Sequence, residues 1–182
     1  MMKIYTKKDK KDIINGLKNN ELFAIKTDTV YGIMAIANKE NELKINLLKN
    51  SNLNKKISII FPDKNTLLPL IKDLTKEKLK LIDESLPGPY TFIVNLNNFS
   101  NFNRDDFGVR ITKYDFLQDL IKEVGPLLAS SCNITSFDVL NTSKEIEEVF
   151  KNSDLNLVLD SDAVNKPSTI IDITKDIKII RN

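Results

Sequence analysis

The sequence contains no histidine and no tryptophan, and Cys132 is its only cysteine. Without histidine, the chain cannot build a Ser-His-Asp or Cys-His nucleophile or a histidine-ligated metal site. One cysteine cannot form a disulfide within the chain, so we expect a reducing compartment. Because no histidine can activate Cys132, we expect its thiol to pack in the core rather than to act as a nucleophile.

Long apolar runs and the common nucleotide-binding loops are missing from the sequence as well. No apolar run approaches the roughly 20 residues that a membrane helix needs. The N-terminus passes directly into charged residues, which is not typical of a signal peptide. Neither a Walker A sequence nor G-x-G-x-x-G occurs. We therefore expect a cytoplasmic protein without membrane contact, and any nucleotide would have to bind in an unusual cradle.

What is present fits one globular domain, which we place over residues 1–182. Apolar residues make up 41% of the chain, which is ordinary for a protein with a packed core. The formal net charge of +2 is too small to indicate nucleic-acid binding by itself. We interpret the lysine runs as solvated helix faces.

Hydrophobic periodicity predicts a fold of mixed helices and strands. Helices are expected over 9–18, 40–49, 75–86, 115–124 and 142–150, the last with Thr142 as cap of a capping box. Strands are expected over 22–26, 29–37, 57–61, 90–96, 107–112, 127–130, 155–159, 169–173 and 177–180. The Asn-rich stretch 95–103 is expected to be a loop between two strands. Because several successive strands lack an intervening helix, we predict an α/β fold with one mixed sheet.

Two polar segments follow predicted strands, where α/β proteins commonly bind ligands. Residues 26–32 read Lys-Thr-Asp-Thr-Val-Tyr-Gly, and residues 129–133 read Ala-Ser-Ser-Cys-Asn. The first segment fits a ligand site or an Asx-type turn. In the second, hydroxyl and amide groups suit phosphate oxygens or a hydrated Mg²⁺, although a polar turn explains them equally well.

Arginine is scarce in this lysine-rich chain, and its positions are therefore informative. Arg110 lies in a predicted strand, and Arg181 follows the last one. An arginine in an apolar strand suggests a need for its planar fork of donors, which binds either an anionic ligand or a buried carboxylate of the protein. The sequence leaves these two roles of Arg110 open. Pro87-Gly88-Pro89 adds a rigid turn before another strand.

Taken in order, these segments resemble the YrdC-like family of L-threonylcarbamoyladenylate synthases. Residues 27–32 match the family's T-[DE]-T-V-Y-G signature, and residues 86–91 are similar to its W-P-G-P-x-T segment. Residues 109–110 match its V-R strand, residues 131–133 its S-A-N loop, and residues 168–172 its S-T-V-V-D strand. The resemblance covers nearly the whole chain and is closest to the short, single-domain form.

The resemblance implies a twisted open sheet with flanking helices and a wide positive cleft for ATP, L-threonine and bicarbonate. It implies catalytic roles at the phosphates for Lys49, Lys55, Ser131 and Asn133, with Mg²⁺ carried by the nucleotide and without direct side-chain ligands to the metal. It further implies substrate or ATP binding by Thr29, Tyr31, Arg110, Ser168 and Arg181. The product would pass to a threonylcarbamoyl transferase complex that modifies tRNA, and direct contact with tRNA or double-stranded RNA is a further expectation.

One departure from the family pattern concerns phosphate binding. The family has K-x-R-P after the second helix, whereas this chain has Ser51 at the arginine position. Lys55 or Lys56 offers a point charge without the arginine's fork. Two alternatives therefore stay open: a non-catalytic RNA-binding module that uses the positive cleft, and a carbamoyl-adenylate enzyme of the hydrogenase-maturation kind.

Overall fold

The computed structural model describes residues 1–97, 99, 102–163 and 166–182. Within these residues, the strands are β1 (Ile4–Tyr5), β2 (Leu22–Lys26), β3 (Tyr31–Ile36), β4 (Ser58–Ile60), β5 (Tyr90–Asn95), β6 (Asp106–Arg110), β7 (Leu127–Ser131), β8 (Leu155–Val158), β9 (Thr169–Asp172) and β10 (Lys178–Arg181). They form one sheet in the order β1-β8-β2-β3-β7-β4-β6-β5-β9-β10.

The sheet is mixed, as the run of strands without intervening helices predicts. The pairs β1–β8, β2–β8, β4–β6 and β5–β9 are parallel. The pairs β2–β3, β3–β7, β4–β7, β5–β6 and β9–β10 are antiparallel. The Asn-rich stretch joins β5 to β6 as expected, although its residues 98, 100 and 101 lie outside the described part of the chain.

Six α-helices flank the sheet in the described ranges: α1 (Lys10–Lys18), α2 (Lys39–Leu48), α3 (Lys64–Leu67), α4 (Lys76–Ser85), α5 (Asp115–Val124) and α6 (Ser143–Phe150). One-turn 3-10 helices occupy Lys7–Asp9 and Leu68–Leu70. The side chain of Thr142 accepts a hydrogen bond from the Glu145 backbone, and Glu145 accepts one from the Thr142 backbone. This confirms the predicted capping box, which satisfies two backbone donors at the start of α6.

Helices α1 and α5 cover part of one face of the sheet. Their buried residues Ile13, Leu17, Leu117, Leu120 and Ile121 pack on sheet residues that include Phe23, Met34, Ile60 and Leu127. Burial of such side chains contributes about 1.5–3 kcal/mol each. The opposite face packs against α2, α4 and α6 in a larger apolar cluster.

The rest of the α1/α5 face carries small side chains. Because side chains alternate along a strand, Gly32, Ser58 and Ala129 lie on the same face as Met34, Ile60 and Leu127. Gly108 of β6 lies beside Ser58, and a Cβ atom there would be 2.6 Å from the Ser58 hydroxyl oxygen. This part of the sheet therefore carries little side-chain bulk, and we call Gly32, Ser58, Gly108 and Ala129 its floor.

Candidate functional site

A hydroxyl-rich turn joins β2 to β3 at one end of the floor. The Thr27 hydroxyl donates to the Val30 carbonyl oxygen at 2.7 Å and accepts from the Thr29 backbone nitrogen at 3.0 Å. Strand β2 therefore ends at Lys26, and β3 begins at Tyr31. The prediction of a strand over 29–37 is therefore wrong at its start, because local side-chain bonds hold residues 27–30 in a turn.

Arg110, at the end of β6, joins this turn to the rest of the site. Its guanidinium donates from Nε to the Gly88 carbonyl at 3.1 Å, from Nη1 to Thr29 Oγ1 at 2.8 Å, and from Nη2 to Asp28 Oδ1 at 2.6 Å. Asp28 also accepts from the Thr112 hydroxyl and from the Lys113 backbone nitrogen. Burial lowers the pKa of Arg110 from its ordinary value, and the Asp28 carboxylate counteracts this.

Arg110 therefore takes the scaffold role that the sequence left open, because its bonds hold the 27–30 turn, the Pro87-Gly88-Pro89 turn and β6 together. The residue is only 7% exposed, yet it also lines the cleft described below. A ligand contact to its remaining N–H groups is compatible with this geometry.

Lys49 lies behind the second predicted polar loop. Its side chain is 2% exposed, and its ammonium donates to the carbonyl oxygen of Ser131, to that of Asn133 at 2.8 Å, and to Asn133 Oδ1 at 2.7 Å. The Ser131 hydroxyl donates to the same Asn133 Oδ1 at 2.7 Å. The structure therefore places Lys49 as a brace for residues 131–133 instead of directing it at phosphates.

The surroundings of Lys49 are apolar enough to change its acidity. The pKa of Lys49 is lowered to about 8, mainly by burial and to a smaller extent by the nearby Lys55 charge, while Cys132 acts in the opposite direction. Burial also raises the pKa of the Cys132 thiol to about 12. Cys132 is fully buried, as expected for a packing residue.

Ser51, at the position of the family arginine, is engaged by the protein. Its hydroxyl contacts the hydroxyl of Thr135, and its backbone nitrogen donates to the Asn46 carbonyl at 2.8 Å. The Thr135 backbone nitrogen donates to the Lys49 carbonyl at 2.8 Å. The end of α2 is thus bonded to the loop after β7 by neutral groups, and this side of the site lacks the guanidinium of the family pattern.

A cleft of about 270 Å³ lies over the floor. Six of the nine predicted site residues line it: Thr29, Lys55, Arg110, Ser131, Ser168 and Arg181. Sequence reasoning assigned no role to Ser58, Val139 and Ile170, which line it too. The alternation of Ser58 with Ile60 along β4 is the signal that could have identified Ser58.

Three predicted site residues lie outside the lining of the cleft: Lys49, Asn133 and Tyr31. Tyr31 is fully buried, and its hydroxyl bonds to Ser143 Oγ at 3.1 Å and to the Ser161 carbonyl at 3.3 Å. Burial raises the pKa of Tyr31. Tyr31 thus connects β3 to α6 and to the segment after β8 in this structure.

The charged residues that line the cleft are all cationic. They are Lys55, Lys56, Arg110 and Arg181, and no carboxylate belongs to the lining among the described residues. Lys56 forms an ion pair with Asp106 at 2.5 Å. Arg181 donates twice to the Ser168 carbonyl, at 3.1 and 2.7 Å, and the Ser168 hydroxyl bonds to Thr91 at 2.8 Å. Hydroxyls and cations of this kind suit phosphate or carboxylate groups.

The described residues contain no group of three or more cysteine or acidic side chains that could hold a metal ion. No helix in the same residues is long and apolar enough to cross a membrane. Fold and cleft together define an α/β protein with an open cleft lined by hydroxyls and cations.

The chain belongs to the Sua5/YciO/YrdC family, whose model, described as "Telomere recombination", matches residues 15–182. This confirms the family resemblance found in the sequence. A Methanocaldococcus jannaschii protein provisionally named threonylcarbamoyl-AMP synthase is 36% identical over 177 residues, which cover 94% of this chain and 81% of that protein. The threonylcarbamoyl-AMP synthase of Vibrio campbellii is 28% identical over 183 residues, which cover 96% and 98% of the two chains.

Solved structures share the fold. P. abyssi Sua5 complexed with L-threonine has a TM-score of 0.90 at 20% identity, over 99% of this chain and 57% of that one. E. coli YciO has a TM-score of 0.89 at 18% identity, over 100% and 96%. The predicted single mixed sheet with flanking helices is confirmed. The chain spans little more than half the length of Sua5.

Proposed function

We propose that this protein is a nucleotidyltransferase that makes threonylcarbamoyl-AMP and pyrophosphate from L-threonine, bicarbonate and ATP. The observation that carries the proposal is that the fold gathers Thr29, Lys55, Arg110, Ser131, Ser168 and Arg181 around one cleft. The names of the M. jannaschii and V. campbellii relatives support this reaction. The L-threonine complex of P. abyssi Sua5 supports an amino acid as one ligand of the cleft.

The reaction suits a cleft without a nucleophile or a histidine. The threonine amine condenses with bicarbonate, with loss of water, to give a carbamate. A carbamate oxygen then attacks the α-phosphorus of ATP, and the bond to the pyrophosphate oxygen breaks. No covalent enzyme intermediate is needed, so catalysis comes from holding the reactants together and from neutralising charge on the phosphates.

We assign the phosphate side of the cleft to Lys55 and Arg181, whose charge-assisted hydrogen bonds to phosphate contribute about 1.5–3 kcal/mol each. Ser131 belongs to the same side as an acceptor, because its proton is donated to Asn133 Oδ1. Ser168 fixes the orientation of Arg181 through its carbonyl oxygen. Lys49 and Asn133 support the same side indirectly, because their bonds hold the Ser131 backbone and hydroxyl in place.

Mg²⁺ fits this site as an ion that is bound mainly by the nucleotide phosphates. The lining supplies hydroxyl oxygens and no carboxylate in the described residues. Mg²⁺ at nucleotide sites is commonly bound by substrate phosphates and water, with few protein ligands. Ser131 is the residue that would reach its coordination or hydration shell, and the ion would supply further neutralisation of phosphate charge.

We further propose that the adenylate serves N6-threonylcarbamoyladenosine modification of tRNA by a partner transferase. A mixed anhydride of a carbamate and AMP is an activated acyl donor. An acyl transfer to an amine, such as the exocyclic amine of an adenosine, would consume it and release AMP.

The test is pyrophosphate release from Mg-ATP by the purified protein, with L-threonine and bicarbonate added separately and together. We expect release only when both are present, and we expect Ser131→Ala to lower kcat at least about tenfold, as for one lost hydrogen bond in the site. Pyrophosphate release that ignores threonine, or none from folded protein, would contradict the proposed reaction.

A further inference from the structure

The cations that line the cleft differ in how firmly the protein holds them. The buried Arg110 guanidinium donates from all three of its nitrogens to groups of the protein. Arg181 donates twice to one carbonyl oxygen. The Lys56 ammonium has a single partner among the described residues, the Asp106 carboxylate at 2.5 Å. Lys56 is therefore a cation of the cleft that one contact restrains.

The Asp106 carboxylate lies on the face of the sheet that carries the cleft. Because side chains alternate along a strand, Asp106 is on the same face of β6 as Gly108 and Arg110. Val109 packs into the apolar cluster on the opposite face. The Lys56 ammonium, in contact with Asp106, therefore lies over the floor side of the sheet, and Lys56 belongs to the lining of the cleft.

The pair between Lys56 and Asp106 is open to water. The Lys56 side chain is 56% exposed and that of Asp106 is 38% exposed. Exposed ion pairs contribute little to stability, because water and salt screen the attraction. A polyphosphate carries several negative charges, so it attracts an ammonium more strongly than one carboxylate does at the same distance. The flexible four-carbon stem of lysine allows the ammonium to turn from one anion to the other.

We infer that Lys56 is an exchangeable phosphate-binding residue, whose ammonium Asp106 holds until a polyphosphate enters the cleft and displaces the carboxylate. The inference rests on the proposed function for the identity of the polyphosphate, which is ATP or the pyrophosphate product. Asp106 then competes with the nucleotide for one cation. The exchange supplies a second lysine beside Lys55 in a chain that has Ser51 at the position of the family arginine.

The test measures binding of pyrophosphate and of Mg-ATP by calorimetry, without threonine and therefore without turnover. Lys56→Met keeps most of the side chain and removes the charge, and we expect it to weaken pyrophosphate about fivefold or more. Asp106→Asn keeps the size and removes the competing charge, and we expect it to tighten pyrophosphate about twofold or more. Wild-type affinity in either folded variant would overturn the inference.

A double variant separates exchange from a general effect of charge. Removal of any acid near the cleft favours an anion through space. If Asp106 acts by holding Lys56, its removal matters only while Lys56 is present. The double variant Lys56→Met, Asp106→Asn should therefore bind pyrophosphate as weakly as Lys56→Met. Additive effects of the two substitutions would mean that the residues act independently, and would refute the exchange.

A neighbouring exposed pair is the matched control. Lys72 and Asp105 lie 2.8 Å apart, and neither belongs to the lining of the cleft. Lys72→Met and Asp105→Asn make the same changes of charge, and we expect pyrophosphate affinities close to that of the wild-type protein. Thermal unfolding should be near wild type in all four single variants, because exposed pairs contribute little. Equal effects of the two pairs on pyrophosphate would show that net charge is responsible, and would contradict the role of Lys56.

Failure of the inference and failure of the proposed function look different. Protein that shows the predicted coupling in pyrophosphate binding, but releases none from ATP with threonine and bicarbonate, contradicts the proposed function alone. Protein that makes the adenylate, while Lys56→Met keeps the wild-type KM for ATP, contradicts the inference alone. Wild-type protein that binds neither pyrophosphate nor Mg-ATP contradicts both.

Discussion

At the scale of single residues, Lys49 is a buried cation that supports the wall of the cleft without lining it. Its ammonium meets three acceptors on Ser131 and Asn133. Only the charged form has three N–H groups, since a neutral amine has two. The order of the loop after β7 therefore depends on a proton whose pKa burial has lowered to about 8.

This arrangement predicts a pH dependence of catalysis. We expect kcat/KM to fall as the pH rises through about 8, because deprotonation of Lys49 removes one of the bonds that hold Ser131 and Asn133. The stability of the fold should change in the opposite direction. Between pH 8 and the ordinary lysine pKa of 10.5, Lys49 is more fully protonated in the unfolded state than in the folded one. The contribution of Lys49 to the free energy of unfolding therefore rises with pH in this range. Activity and thermal unfolding measured across this range check both signs.

The matched variant is Lys49→Arg, which stays protonated at all these pH values. If it folds, its kcat/KM should lose the decline near pH 8. An unchanged decline in this variant would show that another group controls the profile.

Ser51 offers a gain-of-function prediction. Its hydroxyl contacts Thr135, and no cation stands at the position where the family has arginine. We expect Ser51→Arg to lower the KM for ATP about tenfold, which corresponds to one charge-assisted hydrogen bond of about 1.5 kcal/mol. Asn52→Arg adds the same charge at an exposed neighbouring position and is the control. Equal effects of the two variants would mean that net charge, and not the position of the guanidinium, is responsible.

At the scale of helices and strands, the periodicity of the sequence predicted the longer elements but not strand β1 and helix α3. The helix predicted over 115–124 has these bounds in the structure, and the others agree within one or two residues at each end. Strand β1 and helix α3 have two and four residues, too few to show a period. β1 forms only because β8 lies beside it, a contact across more than 150 residues.

The same limit explains which site residues could be placed from the sequence. Thr29, Ser131, Ser168 and Arg181 lie at or next to strand ends, where exposure to a cleft follows from the α/β architecture. Tyr31 cannot be placed in this way, because its hydroxyl partners lie 112 and 130 residues further along the chain. Its expected role in substrate or ATP binding stays a prediction.

Packing at the floor favours glycine at position 108 of β6. A Cβ at position 108 would lie 2.6 Å from Ser58 Oγ and 3.3 Å from Thr91 Cγ2. We expect Gly108→Ala to reduce the free energy of unfolding by about 1–3 kcal/mol, because the floor is overpacked. Denaturant unfolding measures this loss. The double variant Gly108→Ala, Ser58→Gly should recover most of it, and no recovery would mean that the strain arises elsewhere.

Beside the floor, a buried ion pair connects α2 with the segments that lead into β4 and β6. Glu42 has 1% of its side chain exposed and pairs with Arg104 at 2.7 Å and with Lys39 at 3.0 Å. It also accepts from the Ile57 backbone nitrogen at 3.1 Å. The Arg104 guanidinium lies over the rings of Phe102 and Phe107. This pair fixes the entry to β4, and therefore the position of Ser58.

We expect Glu42→Gln to reduce the free energy of unfolding by about 3–5 kcal/mol, since it leaves the Arg104 charge buried without a counterion. Burial raises the pKa of Glu42, but the bonds from Arg104, Lys39 and Ile57 outweigh it, and the pKa lies below its ordinary value. The wild-type pair therefore stabilises the fold above the ordinary pKa of 4.5, and this contribution is lost as the pH falls below it.

Urea unfolding at neutral and acidic pH tests this directly. The difference between wild type and Glu42→Gln should shrink toward acidic pH. The exposed acid Glu77 lies in the first turn of α4 and outside this pair, so Glu77→Gln is the control and should show a small difference at every pH. A pH-independent gap would contradict the ionic origin of the effect.

At the scale of the whole molecule, one sheet carries both the core and the cleft. Helices α1 and α5 cover part of a face, and Gly32, Ser58 and Ala129, whose side chains are small, line the cleft on the remainder. The polar segments of the sequence are far apart in the chain and meet because the strand order places β3, β7, β4, β6, β5 and β9 side by side. The single domain over 1–182, the positive potential of the cleft and contact with RNA remain predictions.

In the proposed reaction, carbon from bicarbonate is joined to L-threonine and AMP in this cleft. The most direct measurement is mass spectrometry of the adenylate formed from ATP, L-threonine and ¹³C-bicarbonate, by the wild-type protein and by Ser131→Ala. We predict a threonylcarbamoyl-AMP that carries the ¹³C label with the wild-type protein and much less of it with the variant. An adenylate without the label, or equal amounts of labelled product from both proteins, would contradict the account.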